Sequence, residues 1–167
     1  MEVAPRQDAS HDRTNVLICG ALLEQSLEEA IASHFQDIPE AERNQLFLPS
    51  GDRDAPVSSF YAKCVLAYSL GVFGRRTYSD FNKLRIIRNI FAHSTLPVSF
   101  DTPEIAAACG FGLIDTAPWG DDDLIGQKPQ TPSEKFLAVS ILFITYLTHP
   151  GWIPVRYKSH ILSEFFA

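Results

Sequence analysis

The chain is poor in the features that mark specialised chemistry. Its three cysteines, Cys19, Cys64 and Cys109, are odd in number and far apart, and none sits in a CxxC pair. That spacing speaks against a disulfide framework or a thiolate zinc site and fits reduced, buried thiols. HExxH motifs and Cys/His clusters are missing, so no metal is expected. The glycine pair in Gly71-Val72-Phe73-Gly74 lacks the spacing and the Lys-Ser/Thr of a phosphate-cradling loop. No serine stands in a nucleophile elbow. The longest apolar-rich stretch, Phe136 to Leu147, has 12 residues and carries Ser140 and Thr145, short of the roughly 20 that span a bilayer. A basic surplus is lacking too. Fourteen Lys+Arg face 20 Asp+Glu, for a net charge of -6 and a pI near 5.3. A free-standing DNA reader draws most of its affinity from phosphate neutralisation, so this balance argues against one. The polar run Met1 to Arg13 has no apolar signal-peptide core. Together these absences predict a cytoplasmic, soluble protein without membrane segment, cofactor or metal.

What is present is a helical pattern. The 167 residues suit one domain, and 46% hydrophobic against 20% charged residues is enough for an ordinary core. Residues 1–13 read as a flexible tail and 14–167 as a single helical domain. From Thr14 to about Phe35 the apolar positions Leu23, Leu27, Ala30 and Ile31 follow helical spacing. Val16 to Leu23 is apolar nearly all round, which predicts a central buried helix. A short helix is expected over Ala41 to Leu48, then a loop through Pro49 to Pro56. Ser58 or Ser59 can cap a helix from Phe60 to about Val72. Ser79-Asp80 is expected to open the next helix, ending near His93. Pro103 to Ala108 can form a short helix. Residues 110–130 read as loop, and Asp121-Asp122-Asp123 within them as a solvated acidic turn. Thr131-Pro132-Ser133-Glu134 is a capping box that should start a helix reaching Thr148. Trp152, Phe165 and Phe166 suggest a tail docked on the domain. Leu96 to Phe100 is the only modest strand candidate. The fold class is therefore all-α, a bundle of five to seven helices.

Chemistry concentrates in Arg85-Ile86-Ile87-Arg88-Asn89-Ile90-Phe91-Ala92-His93. At 100° per residue, Leu84, Ile86, Ile87, Ile90 and Phe91 share one arc, while Asn82, Arg85, Asn89 and His93 share the other. Arg88 lies at the edge between them. Asn89 and His93 are i, i+4 neighbours. His93, at a helix C-terminus, can also bond a terminal carbonyl. Around this row, Arg75, Arg76, Lys83, Arg85 and Arg88 are opposed only by Asp80, so 14 residues carry +4 inside a chain of -6. Such a patch favours an anionic partner.

Several ordered blocks resemble the MltR family of mannitol operon repressors. They are Ser59-Phe60-Tyr61-Ala62-Lys63, Leu66-Ala67-Tyr68-Ser69-Leu70-Gly71, Tyr78-Ser79-Asp80-Phe81, Ile87-Arg88-Asn89-Ile90-Phe91-Ala92-His93-Ser94 and Ser99-Phe100-Asp101-Thr102-Pro103-Glu104-Ile105. Ala21-Leu22-Leu23-Glu24 and Leu27-Glu28-Glu29 also fit, and the resemblance covers about 20 to 105. Lys63 stands where the family usually has Arg, and Ile90 where many members carry an acid. The resemblance implies an all-helical bacterial regulator without a DNA-binding motif, controlling transcription or metabolism through protein partners and self-association. Lys63, Arg85, Arg88, Asn89 and His93 would be the residues that meet a partner or anion. A second resemblance is to the Arg-polar-x(3)-His motif of HEPN-domain ribonucleases, matched by Arg88, Asn89 and His93. It implies metal-independent attack of an RNA 2′-hydroxyl on the adjacent phosphate. His93 would act as general acid or base, Arg88 would stabilise phosphorane charge, and Asn89 would position either group.

Overall fold

A computed structural model describes residues 6–35, 37–51, 53–117, 119 and 127–149, with side chains from Ala9 onward. Among these residues the chain forms seven helices and no strand: α1 (Arg6–Ala32), α2 (Glu40–Phe47), α3 (Phe60–Ser69), α4 (Arg75–His93), α5 (Pro103–Ala108), α6 (Gly112–Thr116) and α7 (Pro132–Thr148). The protein is an all-α single-domain bundle. α1 is its hub and packs against α3, α4 and α7. The core is unusually aromatic. Phe73, Phe81, Phe91, Phe111, Phe136 and Phe143 are fully buried. Phe81 stacks on Phe73 at 4.8 Å and on Phe143 at 4.5 Å, which ties α4 to α7. Phe100 bridges Phe91 and Phe136.

The expected helix starts divide into those the local chemistry specifies and those set by distant contacts. Ser59 caps α3, its hydroxyl accepting from Ala62 N at 3.1 Å. The capping box at α7 forms in full. Thr131 Oγ1 accepts from Glu134 N at 3.2 Å, and Glu134 Oε2 accepts from Thr131 N at 3.0 Å and Gln130 N at 2.8 Å. Backbone donation to this carboxylate holds the Glu134 pKa below its ordinary value.

Other expectations are corrected. The tail expected over residues 1–13 is helical from Arg6. Its polar side chains brace the far end of α4: Arg13 donates to Ala92 O and Ser94 O, and Asp12 accepts from Phe100 N at 3.1 Å. Those contacts leave no apolar periodicity to read. α4 starts at Arg75 rather than at Ser79-Asp80. Gly71, at φ +74, turns the chain sharply after α3, so the next helix begins at once, with Gly74 as its first half-turn. Residues 110–130 are not all loop, since α6 occupies Gly112–Thr116. Leu96 to Phe100 forms no strand. α1 is not buried all round: Leu17, Ile18 and Leu22 are exposed. The acidic run Asp121 to Asp123 and the tail with Trp152, Phe165 and Phe166 lie outside the described residues.

No helix of the described residues is long and apolar enough to cross a membrane. The cysteines behave as read from their spacing. Cys64 and Cys109 are buried free thiols, and burial pushes both up to about 12. Cys19 is half-buried and raised for the same reason. Thiols of this kind are poor nucleophiles and poor metal ligands.

Candidate functional site

α4 enters the bundle through a narrow seam. Thr77, Asp80, Phe81, Leu84, Ile87 and Phe91 are buried, a 3–4 repeat that faces the other helices. Ile86 is 45% exposed and Ile90 half-buried, so the apolar arc is wider than the packed one. Arg85, Arg88 and Asn89 flank the seam on its α1 and α3 side. With Glu24 of α1 and Ser58, Ser59, Phe60 and Tyr61 at the start of α3, they line an open cleft of about 330 Å³.

Each cation in the cleft is seated differently. The stem of Arg88 lies on Gly20, where a β-carbon would come 2.7 Å from Arg88 Cγ. α1 and α4 therefore touch almost backbone to side chain at that crossing. The Arg88 side chain is 30% exposed. Its Nη1 donates to Asn89 Oδ1 at 3.2 Å, and its Nη2 lies 3.5 Å from Glu24 Oε1. Arg85 stacks over the Tyr61 ring, with Cζ 5.2 Å from the centroid. Among the described residues Arg85 has no carboxylate partner. The Nε atoms of both arginines are buried without an acceptor. A buried donor left unpaired costs free energy that an incoming acceptor recovers. Two guanidinium groups beside one cleft suit recognition of a carboxylate or phosphate. Ser58 and Ser59 add hydroxyls at the N-terminus of α3, where the helix dipole also favours negative charge.

Two of the residues expected at the site lie elsewhere. Lys63 is buried and pairs with Glu28 at 3.3 Å, away from the arginines. His93 is exposed, does not line the cleft, and its imidazole hydrogen-bonds to none of the described residues. The terminal carbonyls of α4 are met by Arg13 instead. His93 follows Arg88 by five positions, which turns them about 140° apart and displaces them about 7.5 Å along the helix. Within one chain they face different surroundings. Asp80, expected as a helix opener, is instead buried. It accepts from Gly112 N at 3.0 Å, Leu113 N at 3.1 Å and Lys83 Nζ at 3.0 Å. It caps α6 across the fold and takes Lys83 out of the free basic patch. No group of His, Cys, Asp and Glu among the described residues is arranged to hold a metal ion.

The sequence offers Ser58 and Ser59 only as helix caps and gives Glu24, Phe60 and Tyr61 no place in a site. Their link to Arg85 and Arg88 depends on where α1 and α3 cross α4, and no spacing within the chain reports that.

Fold and site define an all-α bundle with a small basic cleft between three helices. Comparison of the chain with protein-family models, curated proteins and solved structures finds no match.

Proposed function

We propose that this chain is a non-enzymatic bacterial regulator resembling the mannitol operon repressors. It acts in the cytoplasm through protein contacts, and its α1/α3/α4 cleft receives an acidic group of the partner. The observation that carries this reading is the pair Arg85 and Arg88, which both line one cleft and whose buried Nε–H donors have no acceptor. Arg85 offers an uncommitted guanidinium. Arg88 is only loosely held by Glu24, so a partner carboxylate can replace that contact at little cost. Asn89 and the two serines supply further hydrogen bonds.

The ribonuclease reading draws support from one observation, the exposed imidazole of His93 on a basic helix. It requires His93 and Arg88 to act on one phosphate. Their separation around α4 leaves that to a second subunit.

The test follows the arginine side chains directly. In a ¹⁵N-labelled sample, the Nε–H signals of Arg85 and Arg88 are followed while a short Asp/Glu-rich peptide is added. Saturable shifts of both signals are expected, and the shift of each should weaken when the other arginine is changed to alanine. Unmoved signals would sink the proposed cleft function. A mixed RNA pool incubated with the protein in EDTA separates the alternative. Cleavage that disappears in His93→Ala would establish a ribonuclease and overturn the regulatory reading.

A further inference from the structure

α1 carries a second feature unrelated to the cleft. His11, Asn15, Ile18, Leu22, Gln25 and Glu29 are all exposed. Their spacing is 4, 3, 4, 3, 4, the heptad rhythm that keeps residues on one stripe of a helix. Ile18 and Leu22, at its centre, are 55% and 45% exposed. The described residues cover them with nothing. Leu17 and Ala21 widen the same surface.

The stripe has a chemical symmetry about Gly20. In an antiparallel pair of α1 helices centred there, facing residue numbers sum to 40. Ile18 then faces Leu22 of the other copy, and Asn15 faces Gln25. His11 faces Glu29, an imidazole N–H donor against a carboxylate. Each contact occurs twice, as a two-fold interface requires. Aliphatic groups meet at the centre, amides meet amides, and donor meets acceptor at the rim. A parallel pairing would set Glu29 against Glu29 and His11 against His11.

We infer that two copies of this chain associate through α1 in an antiparallel, two-fold manner centred on Gly20. The stripe is about 27 Å long at 1.5 Å per residue. One helix face alone falls toward the small, transient end of interface sizes, so association in the micromolar range is expected. Ile18 and Leu22 lie about 160° around α1 from Gly20, the residue that seats Arg88. The pairing therefore leaves the basic cleft of each copy open, and the inference stands or falls apart from the function proposed for that cleft.

Sedimentation velocity over a concentration series tests it. The wild-type chain should pass from monomer to dimer. Ile18→Glu and Leu22→Glu should each remain monomeric, with circular dichroism unchanged because both side chains are exposed. His11→Glu should weaken the dimer about tenfold by setting like charges at both rims, and adding Glu29→Lys should restore it. Register is read by oxidative cross-linking in a Cys19→Ala background. A mixture of Ile18→Cys and Leu22→Cys proteins should cross-link far more than either alone. A wild-type chain that stays monomeric, a dimer indifferent to Ile18→Glu and Leu22→Glu, or equal cross-linking in all three samples would each overturn the inference.

Discussion

Gly20 has no room for a side chain, and that fact couples α1 to the chemistry of α4. A β-carbon there would press on Arg88 Cγ at 2.7 Å and on Arg88 Cβ at 3.6 Å. These atoms lie at the root of the side chain, so relief requires turning Arg88 about its first torsion and lifting it from Glu24. In Gly20→Ala the better helix propensity of alanine, about 1 kcal/mol, opposes an overpacking cost of about 1–3 kcal/mol. The net destabilisation should be small, about 1 kcal/mol by denaturant titration. The Arg88 Nε–H signal should nevertheless shift, and the acidic peptide should bind more weakly. An unchanged Arg88 signal would mean the crossing has slack. This dependence was invisible in the sequence, where Gly20 reads only as a tolerated interruption of a helix. By contrast the polar row Arg85 and Asn89 was legible, because 3.6-residue periodicity places both on one side of α4 whatever surrounds it.

At the scale of elements, legibility follows the range of the interactions. α3 and α7 are capped by residues three positions away, so the α7 start was readable to the residue and the α3 cap to one of two serines. The first turns of α1, by contrast, are braced through Arg13 by carbonyls some 80 residues distant, and α6 owes its N-terminus to Asp80, 32 residues upstream. No local pattern encodes such pairings. The Asp80 contact makes a sharp prediction. Asp80→Ala leaves Gly112 N and Leu113 N without their acceptor and Lys83 without its carboxylate, so it should cost about 3 kcal/mol. Asp80→Asn, which keeps one carbonyl oxygen, should lose less. A loss below about 1 kcal/mol for the alanine variant would mean α6 caps itself with water. The α7 box titrates. The Glu134 carboxyl is held below its ordinary value of 4.5 by donation from Thr131 and Gln130. A depressed carboxyl stabilises the fold above its unfolded pKa, and the contribution is lost as pH falls through the folded value. Glu134→Gln keeps the shape of the box and removes the titration. Its melting temperature should therefore lie below wild type near neutrality, and the gap should close as the pH drops under about 4.5. A gap that stays constant down to strongly acid pH would exclude the charged box.

Across the whole molecule, charge is segregated: a chain of -6 holds a +4 segment between residues 75 and 88. The fold spends part of that segment internally. Lys83 binds Asp80 and Gly110 O, and Arg88 leans on Glu24. What remains for an outside anion is confined to α4 and the mouth of one cleft. A duplex reader needs cations spread over several elements to follow two strands. Measured by anisotropy with a labelled duplex, any binding should show a shallow salt slope, about -2 in log K against log salt, since no more than about two phosphates can be engaged. It should vanish near about 0.15 M salt, where counterions outcompete contacts to so few phosphates. The acidic peptide, seated between Arg85 and Arg88 and partly shielded from solvent, should still bind there because a short-range ion pair is screened far less than a surface charge. If the duplex instead held on with a steep slope, the basic segment would have to be complemented from outside this chain. Direct nucleic-acid contact would then displace partner binding as the use of the cleft.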